Sequence, residues 1–417
     1  MQTKLAAEFK DTREGQEAEA ILRQCVHCGF CNATCPTYQL LGDELDGPRG
    51  RIYLIKQVLE GVAPTRSTQL HLDRCLTCRN CESTCPSGVQ YGRLVDIGRQ
   101  VVDARVERPR GERALRRLLG VGLTSPLFAP ALKLGQLVRP LLPAALKDKV
   151  PSRGSARANL WPQSTHKRKV LMPMGCVQPA MAPNINSATA RVLDAAGLQT
   201  LVADGSGCCG ALRTHLGDTA GGLADMRRNI DAWWPLVDGL TSEGRVEAIV
   251  MNASGCGVTV KEYGVALAHD PDYAEKAKCV SALTRDLSEL LPQLVPALAG
   301  KVHGARGRKL AYHPPCTLQH GQQLRGGVEQ ALGELGFDVS LAAAENHLCC
   351  GSAGTYSVLQ PEVAYALRDR KLAQLQPAGP GEVDAIISAN IGCIQHLQSG
   401  TETPVRHWVE VVDEALA

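Results

Sequence analysis

Residues 347–356 read HLCCGSAGTY, with Cys349 and Cys350 adjacent and Gly351 next. The same trio stands earlier in GSGCCGALRT, residues 205–214, as Cys208, Cys209 and Gly210. Neighbouring cysteines sit too close along the chain to bridge without strain, so a disulfide does not explain the pairs. Working outward from them exposes a repeat. KVLMPMGCVQPAMAP (169–183) aligns with KLAYHPPCTLQHGQQ (309–323), and ATARVLDAAGLQTLVA (188–203) with VEQALGELGFDVSLA (328–342). RVEAIVMNASGCG (245–257) then aligns with EVDAIISANIGCI (382–394). Matched cysteines are offset by 140 (176 to 316), 141 (208 to 349) and 137 (256 to 393) residues. Each copy closes on a helical pattern, VSALTRDLSELL (280–291) or VRHWVEVVDEAL (405–416).

Short apolar strands alternate with helical stretches in both copies, which predicts two small α/β units with mainly parallel sheets. In each, the first cysteine follows a strand, where such sheets place their ligands. Each copy thus brings four cysteines to strand ends: Cys176, Cys208, Cys209 and Cys256, then Cys316, Cys349, Cys350 and Cys393. They are candidate metal sites, and the glycine after each pair lets the backbone turn so that both sulfurs face one centre. GSGCCG also satisfies G-x-G-x-x-G, a dinucleotide fingerprint. The second copy, ENHLCCG, keeps the cysteines and loses the first two glycines, so the thiols are what repeats.

The N-terminal third carries a second cysteine pattern. CVHCGFCNATCP (25–36) and CLTCRNCESTCP (75–86) both fit C-x2-C-x2-C-x3-C-P. That spacing wraps a [4Fe–4S] cube: three thiolates on one turning loop meet three irons, and the fourth serves the other cluster. The expected sets are Cys25, Cys28, Cys31 and Cys85 for one cluster, and Cys75, Cys78, Cys81 and Cys35 for the other. Zinc takes separated C-x2-C pairs rather than triplets. The motifs are joined through RIYLIKQVLEG (51–61), with Ile52, Ile55, Val58 and Leu59 on one helical stripe, which predicts an all-α ferredoxin-like module. Arg23, Arg49, Arg51, Arg74 and Arg79 stand near the motifs and either stabilise reduced clusters or form a solvated face.

Composition narrows the function classes. A net charge of +3 and 4% aromatics in 417 residues give no nucleic-acid signature. Seventeen cysteines in a chain of this length, opening on a polar segment without an apolar signal region, indicate reduced thiols rather than a secreted disulfide scaffold. The expected location is cytoplasmic, with a peripheral position on the cytoplasmic face of the inner membrane left open, and no transmembrane helix is expected. Cys279, inside a helical pattern, is read as an ordinary buried thiol. His215, His313 and His320 lie near the repeat cysteines and are read as structural. No Ser–His–Asp or paired-carboxylate arrangement stands out, so no catalytic residue is assigned, and no flavin or nicotinamide fingerprint is found. The expected organisation is α+α/β: a helical module with two [4Fe–4S] clusters (1–105), a basic Pro-rich helical linker (106–168), and two repeat units (169–295 and 305–417). The linker's apolar middle, LLGVGLTSPLFAPALKLGQLVRPLLPAAL (118–146), reads as a helical hairpin packed on the domains or as a docking surface for an anionic membrane or a partner subunit.

Two ferredoxin-type motifs followed by two cysteine-rich CCG units resemble the iron–sulfur subunits of glycolate oxidase (glycolate dehydrogenase). The resemblance covers essentially the whole chain and is closest in CVHCGFCNATCPTYQLLGDELDGPRGRIYLIKQVLEG (25–61), LDRCLTCRNCESTCPSG (72–88), RRNIDAWWP (227–235) and HLCCGSAGTY. A similar layout occurs in the anaerobic glycerol-3-phosphate dehydrogenase small subunit, in lactate-utilisation proteins and in heterodisulfide reductase. The resemblance implies a heteromeric oxidoreductase. Partner flavoprotein subunits carry FAD and oxidise glycolate, or a similar 2-hydroxy acid such as lactate, to glyoxylate in the glycolate case. This chain would pass electrons on to a membrane quinone. The competing class is a CCG-type thiol or disulfide reductase. In heterodisulfide reductase each half ends in C-x-x-C, whereas ASGCGVTV and ANIGCIQH have one cysteine there.

Overall fold

The computed structural model describes residues 1–141, Ala158 and 160–416. The first 105 residues form helices and loops, with no strand among them. Helices Arg13–Gln24, Pro48–Leu59 and Tyr91–Arg105 close around Leu22, Ile55, Leu94 and Val95, all 1% exposed or less. Local chemistry sets their ends. Thr12 caps the first by accepting from the Gly15 amide, and Pro48 opens the second at a position whose N–H would be unpaired anyway. The predicted stripe Ile52, Ile55, Val58 and Leu59 is buried throughout.

Each repeat is a four-stranded parallel sheet flanked by helices. In the first, β1 (Arg168–Leu171), β2 (Leu198–Leu201), β3 (Ala248–Met251) and β4 (Thr284–Asp286) lie in the order β2-β1-β3-β4. In the second, β5 (Lys309–His313), β6 (Asp338–Leu341), β7 (Ala385–Ser388) and β8 (Val405–His407) lie in the order β6-β5-β7-β8. The registers run in parallel, Val170 beside Ala248 and Leu310 beside Ala385. Strand order reverses between the two central strands of each sheet, and the crevice outside their carboxyl ends is where such sheets bind ligands.

Two sequence expectations need correction. The segments read as helical endings contain the fourth strands, β4 and β8. These three-residue edge strands pair with one neighbour only and are too short for a period-2 pattern to register. Helix starts directly behind them, at Leu287 and Trp408, with Asp286 and His407 as N-caps in capping boxes. Cys279 does sit in a helix, Ala274–Leu283, but is only half-buried.

The repeats share one apolar core. Val170, Ile185 and Leu291 of the first join Leu310, Ile386 and Trp408 of the second. Trp408 donates to Ser288 Oγ at 3.3 Å, and Arg191 grips Asp413 through two 2.7 Å bonds. Between the helical module and the repeats, helices Arg110–Thr124 and Phe128–Val138 meet at a sharp break; the bend between Arg110–Thr124 and Phe128–Leu141 is 100°. No single helix among the described residues is long and apolar enough to cross a membrane, although this bent pair passes by length and composition. Residues 142–157 and 159 of the linker lie outside the described residues.

Candidate metal centres

The two C-x2-C-x2-C loops curl by the same device. His27 (φ 60°) and Gly29 (φ 89°) in the first match Thr77 (φ 51°) and Arg79 (φ 58°) in the second. Left-handed backbone at three non-glycine positions costs energy and is retained where a site needs it. The left-handed residue starts a short helix in each loop, Phe30–Ala33 or Asn80–Thr84, which delivers the fourth cysteine just past its end.

The thiols fall into two groups of four. Burial pushes Cys31 up to about 11, and Cys25, Cys28 and Cys85 add to the push through their proximity. A cavity is lined by the same four residues and Cys81, together with Ile52, Val89, Phe30, His27 and Arg49. Cys81 is likewise held well above an ordinary thiol by burial and by Cys78, Cys75 and Cys35. Convergent thiols in an apolar pocket suit a soft, thiolate-bound iron cluster. Around the second group stand polar residues that sequence reasoning missed. Thr37 Oγ1 lies 3.3 Å from Cys35 Sγ, Tyr91 donates its hydroxyl to Cys75 Sγ at 3.6 Å, and the Thr77 amide reaches the same sulfur at 3.4 Å. Thr37 and Thr77 stand two residues from the sulfurs they meet, outside the cysteine spacing itself, and Tyr91 comes from another segment.

The neighbouring arginines separate by role. Arg51 is 1% exposed, donates to the His71 carbonyl and to Thr37, and lies near Cys75 and Cys35. The buried Asp46 carboxylate accepts from Arg51 and Arg74 and pairs with His71. Arg49 pairs with Glu44, Arg79 with Glu262, and the exposed Arg23 with Glu19 on a solvated face.

In the first repeat Cys176, Cys208, Cys209 and Cys256 lie close enough for neighbouring thiols to shift one another's titration. Cys208 is held low by the adjoining Cys176 and Cys209 thiols, while the adjoining thiols and burial push Cys209 up. Asn229 and Tyr263 pin the loop by donating to the carbonyls of Cys208 and Cys209 at 2.7 and 2.9 Å. The second repeat gathers the same four positions, Cys316 (3.7 Å from Cys349), Cys349, Cys350 and Cys393. Gly210 (φ 93°) and Gly351 (φ 90°) supply the expected turn, each donating its amide to the first sulfur of the pair at 3.4 Å. The second group abuts the helical module, where Cys78 packs with Cys316 and Cys349.

The three singled-out histidines differ. His215 is exposed, and His320 is satisfied by Ser83 Oγ at 3.0 Å and the His347 carbonyl at 2.8 Å. His313 is 1% exposed, finds no hydrogen-bond partner for either ring nitrogen, and lies in one group with Cys350 and Cys393.

A helical module with two four-cysteine motifs, followed by two cysteine-lined parallel sheets, defines the class: an iron–sulfur protein of the ferredoxin plus cysteine-rich-domain type. Family models agree, a 4Fe-4S dicluster domain matching residues 21–89 and a cysteine-rich domain matching residues 170–261 and 310–398. The chain is 52% identical to the glycolate oxidase iron-sulfur subunit of Escherichia coli (strain K12), over all of this chain and 99% of that protein. It is 30% identical to the probable glycolate oxidase iron-sulfur subunit of Bacillus subtilis (strain 168), over 95% of this chain and 91% of the relative. It is 25% identical to lactate utilization protein A of Bacillus velezensis, over 55% of this chain and 90% of the relative. The chain belongs to the family of glycolate oxidase iron–sulfur subunits.

Proposed function

We propose that this chain is the electron-transfer subunit of a heteromeric flavoenzyme that oxidises glycolate, or a similar 2-hydroxy acid, with FAD held on partner subunits and a membrane quinone as acceptor. The supporting observation is the sorting of eight motif thiols into two groups of four, each taking its last member from the other motif. In this reading Cys25, Cys28, Cys31 and Cys85 hold one [4Fe–4S] cluster, and Cys75, Cys78, Cys81 and Cys35 hold the second. The clusters supply one-electron acceptor and donor states. The protein's part is to exclude water and set potentials. Buried Arg51 offsets thiolate charge near Cys35 and Cys75, while Thr37, Tyr91 and the Thr77 amide hydrogen-bond to sulfur.

The units that divide this work are 1–105 for the clusters, 106–168 for docking, and 169–295 and 305–417 for the cysteine-rich repeats. Docking falls to the bent helix pair on the cytoplasmic face of the inner membrane. Leu118, Val121, Leu127, Leu134 and Leu137 are exposed there beside Arg113, Arg117 and Lys133, a composition suited to anionic lipid. The test is anaerobic purification with the flavoprotein partners, followed by iron analysis and EPR. Two cubanes require about eight iron atoms per chain and reduction of both by glycolate; iron for one cluster, or no reduction by glycolate, refutes the reading.

A further inference from the structure

His313 ends strand β5, one residue of the strand-end crevice in the second repeat. Its ring is buried, and neither Nδ1 nor Nε2 has a hydrogen-bond partner. A buried polar group left unpaired is costly, so an imidazole with two such atoms calls for an occupant. Its donors face sulfur: one ring nitrogen, Cys350 Sγ and Cys393 Sγ lie within 4.8 Å of one another. Cys350 is 0% and Cys393 4% exposed, so all three groups are removed from water.

That spacing suits a single ion. Zinc binds sulfur at about 2.3 Å and imidazole nitrogen at about 2.0–2.1 Å, so donors around one ion lie at most about 4.6 Å apart. Small side-chain adjustments close the remaining difference. Ligands of a multi-iron cluster bind different metal atoms and spread wider. The topology explains why these residues meet: β5 delivers His313, β7 leads into the helix that carries Cys393, and the loop after β6 delivers Cys350. The first repeat cannot do the same. With Cys176 aligned on Cys316, Pro173 stands where the second repeat has His313, and proline offers no side-chain donor.

We propose that the second repeat holds a mononuclear divalent metal ion of the zinc class, bound by a His313 ring nitrogen together with Cys350 and Cys393, a nitrogen–sulfur site with no counterpart in the first repeat. The proposal rests on reading the second repeat as a metal site and adds the ligand set and nuclearity; it does not depend on the electron-transfer role. Cys349 and Cys316 stay in their own thiol pair, next to Cys78.

The experiment uses the full chain with its iron clusters oxidised, labelled with 15N-histidine and loaded with 113Cd2+ as the probe. A cadmium resonance split by coupling to one histidine nitrogen is expected, and His313→Gln should abolish the splitting while the resonances of other sites stay put. Zinc affinity, measured by chelator competition, should fall about 100-fold or more in His313→Gln, the upper end of what loss of a supporting group alone produces. Cadmium bound in the second repeat, identified by its loss in Cys393→Ala, but without nitrogen coupling would overturn the His313 assignment alone. No cadmium or zinc lost on Cys393→Ala would overturn the reading of the repeat as a mononuclear site altogether. The splitting is read on the parent chain, so the proposal stands or falls even if a variant does not fold.

Discussion

Arg79 and Glu262 form a bidentate ion pair, with Nη2 3.0 Å from Oε2, across a sequence separation of 183 residues. Arg79 lies inside the second cysteine loop and Glu262 just after the helix that carries Cys256. The pair therefore staples the helical module to the first repeat. Glu262→Ala is expected to loosen this docking while leaving both cysteine groups intact. Glu262 is 42% exposed, so the loss should be modest, about 0.5–1 kcal/mol. Faster proteolysis of the segment between the units, with unchanged iron content, is the measurement.

Cys28→Ser and Cys78→Ser each remove the middle thiolate of a triplet. Each should abolish electron transfer from substrate to acceptor in the assembled complex, with the repeats still folded by thermal denaturation. Full acceptor reduction by either variant would remove the basis for a two-cluster wire.

Gly351 adopts φ +90°, and a Cβ built there would meet the Ala364 carbonyl oxygen at 2.4 Å. Gly210 is placed alike, 2.6 Å from the Gly222 oxygen. Left-handed backbone costs a non-glycine residue about 1–2 kcal/mol, and the backbone clash adds to that. Gly351→Val should thus destabilise the second repeat by at least about 2 kcal/mol. Denaturant titration reads the loss, and a midpoint equal to that of the parent would contradict the packing described.

His407 gives a pH dependence. Burial holds it down at about 3, while its Nδ1 accepts from the Val409 amide at 3.1 Å as a helix cap. The folded state keeps the ring neutral where the unfolded chain would protonate it below about 6.5. Its contribution to stability is therefore complete above pH 6.5 and is lost as pH falls towards 3, by up to about 1.4 kcal/mol per pH unit. His407→Asn, which retains a cap, should flatten this part of the profile. Equal slopes for parent and variant between pH 6.5 and 4.5 would contradict a neutral His407.

Ligand spacing and repetition made much of this molecule legible from its sequence. The C-x2-C-x2-C-x3-C-P motifs are local features, and two aligned copies of strand, cysteine and glycine pointed to twin parallel sheets. Strands β4 and β8 were not legible, because three residues ahead of a capped helix carry no period of their own. Arg79–Glu262 and the Tyr91–Cys75 contact depend on chain segments that only the fold brings together. His313 was visible as a residue three positions before Cys316, but its lack of partners was not. The clue available in the sequence was the asymmetry between KLAYHPPC and KVLMPMGC, a histidine where the other copy has proline.

The core shared by the repeats bears on how the chain is made. Helix Pro183–Ala195 of the first repeat packs on Trp408–Ala415, the His303 amide bonds to the Ala415 carbonyl, and Asp413 neutralises Arg191. Arg191 and Asp413 are separated by 222 residues along the chain. A nascent chain stalled before residue 408 would carry a first repeat with one flank open to solvent and Arg191 lacking its carboxylate. The first repeat therefore completes its packing only once residues 408–415 have been made, and a truncation before residue 408 would damage a unit some two hundred residues upstream.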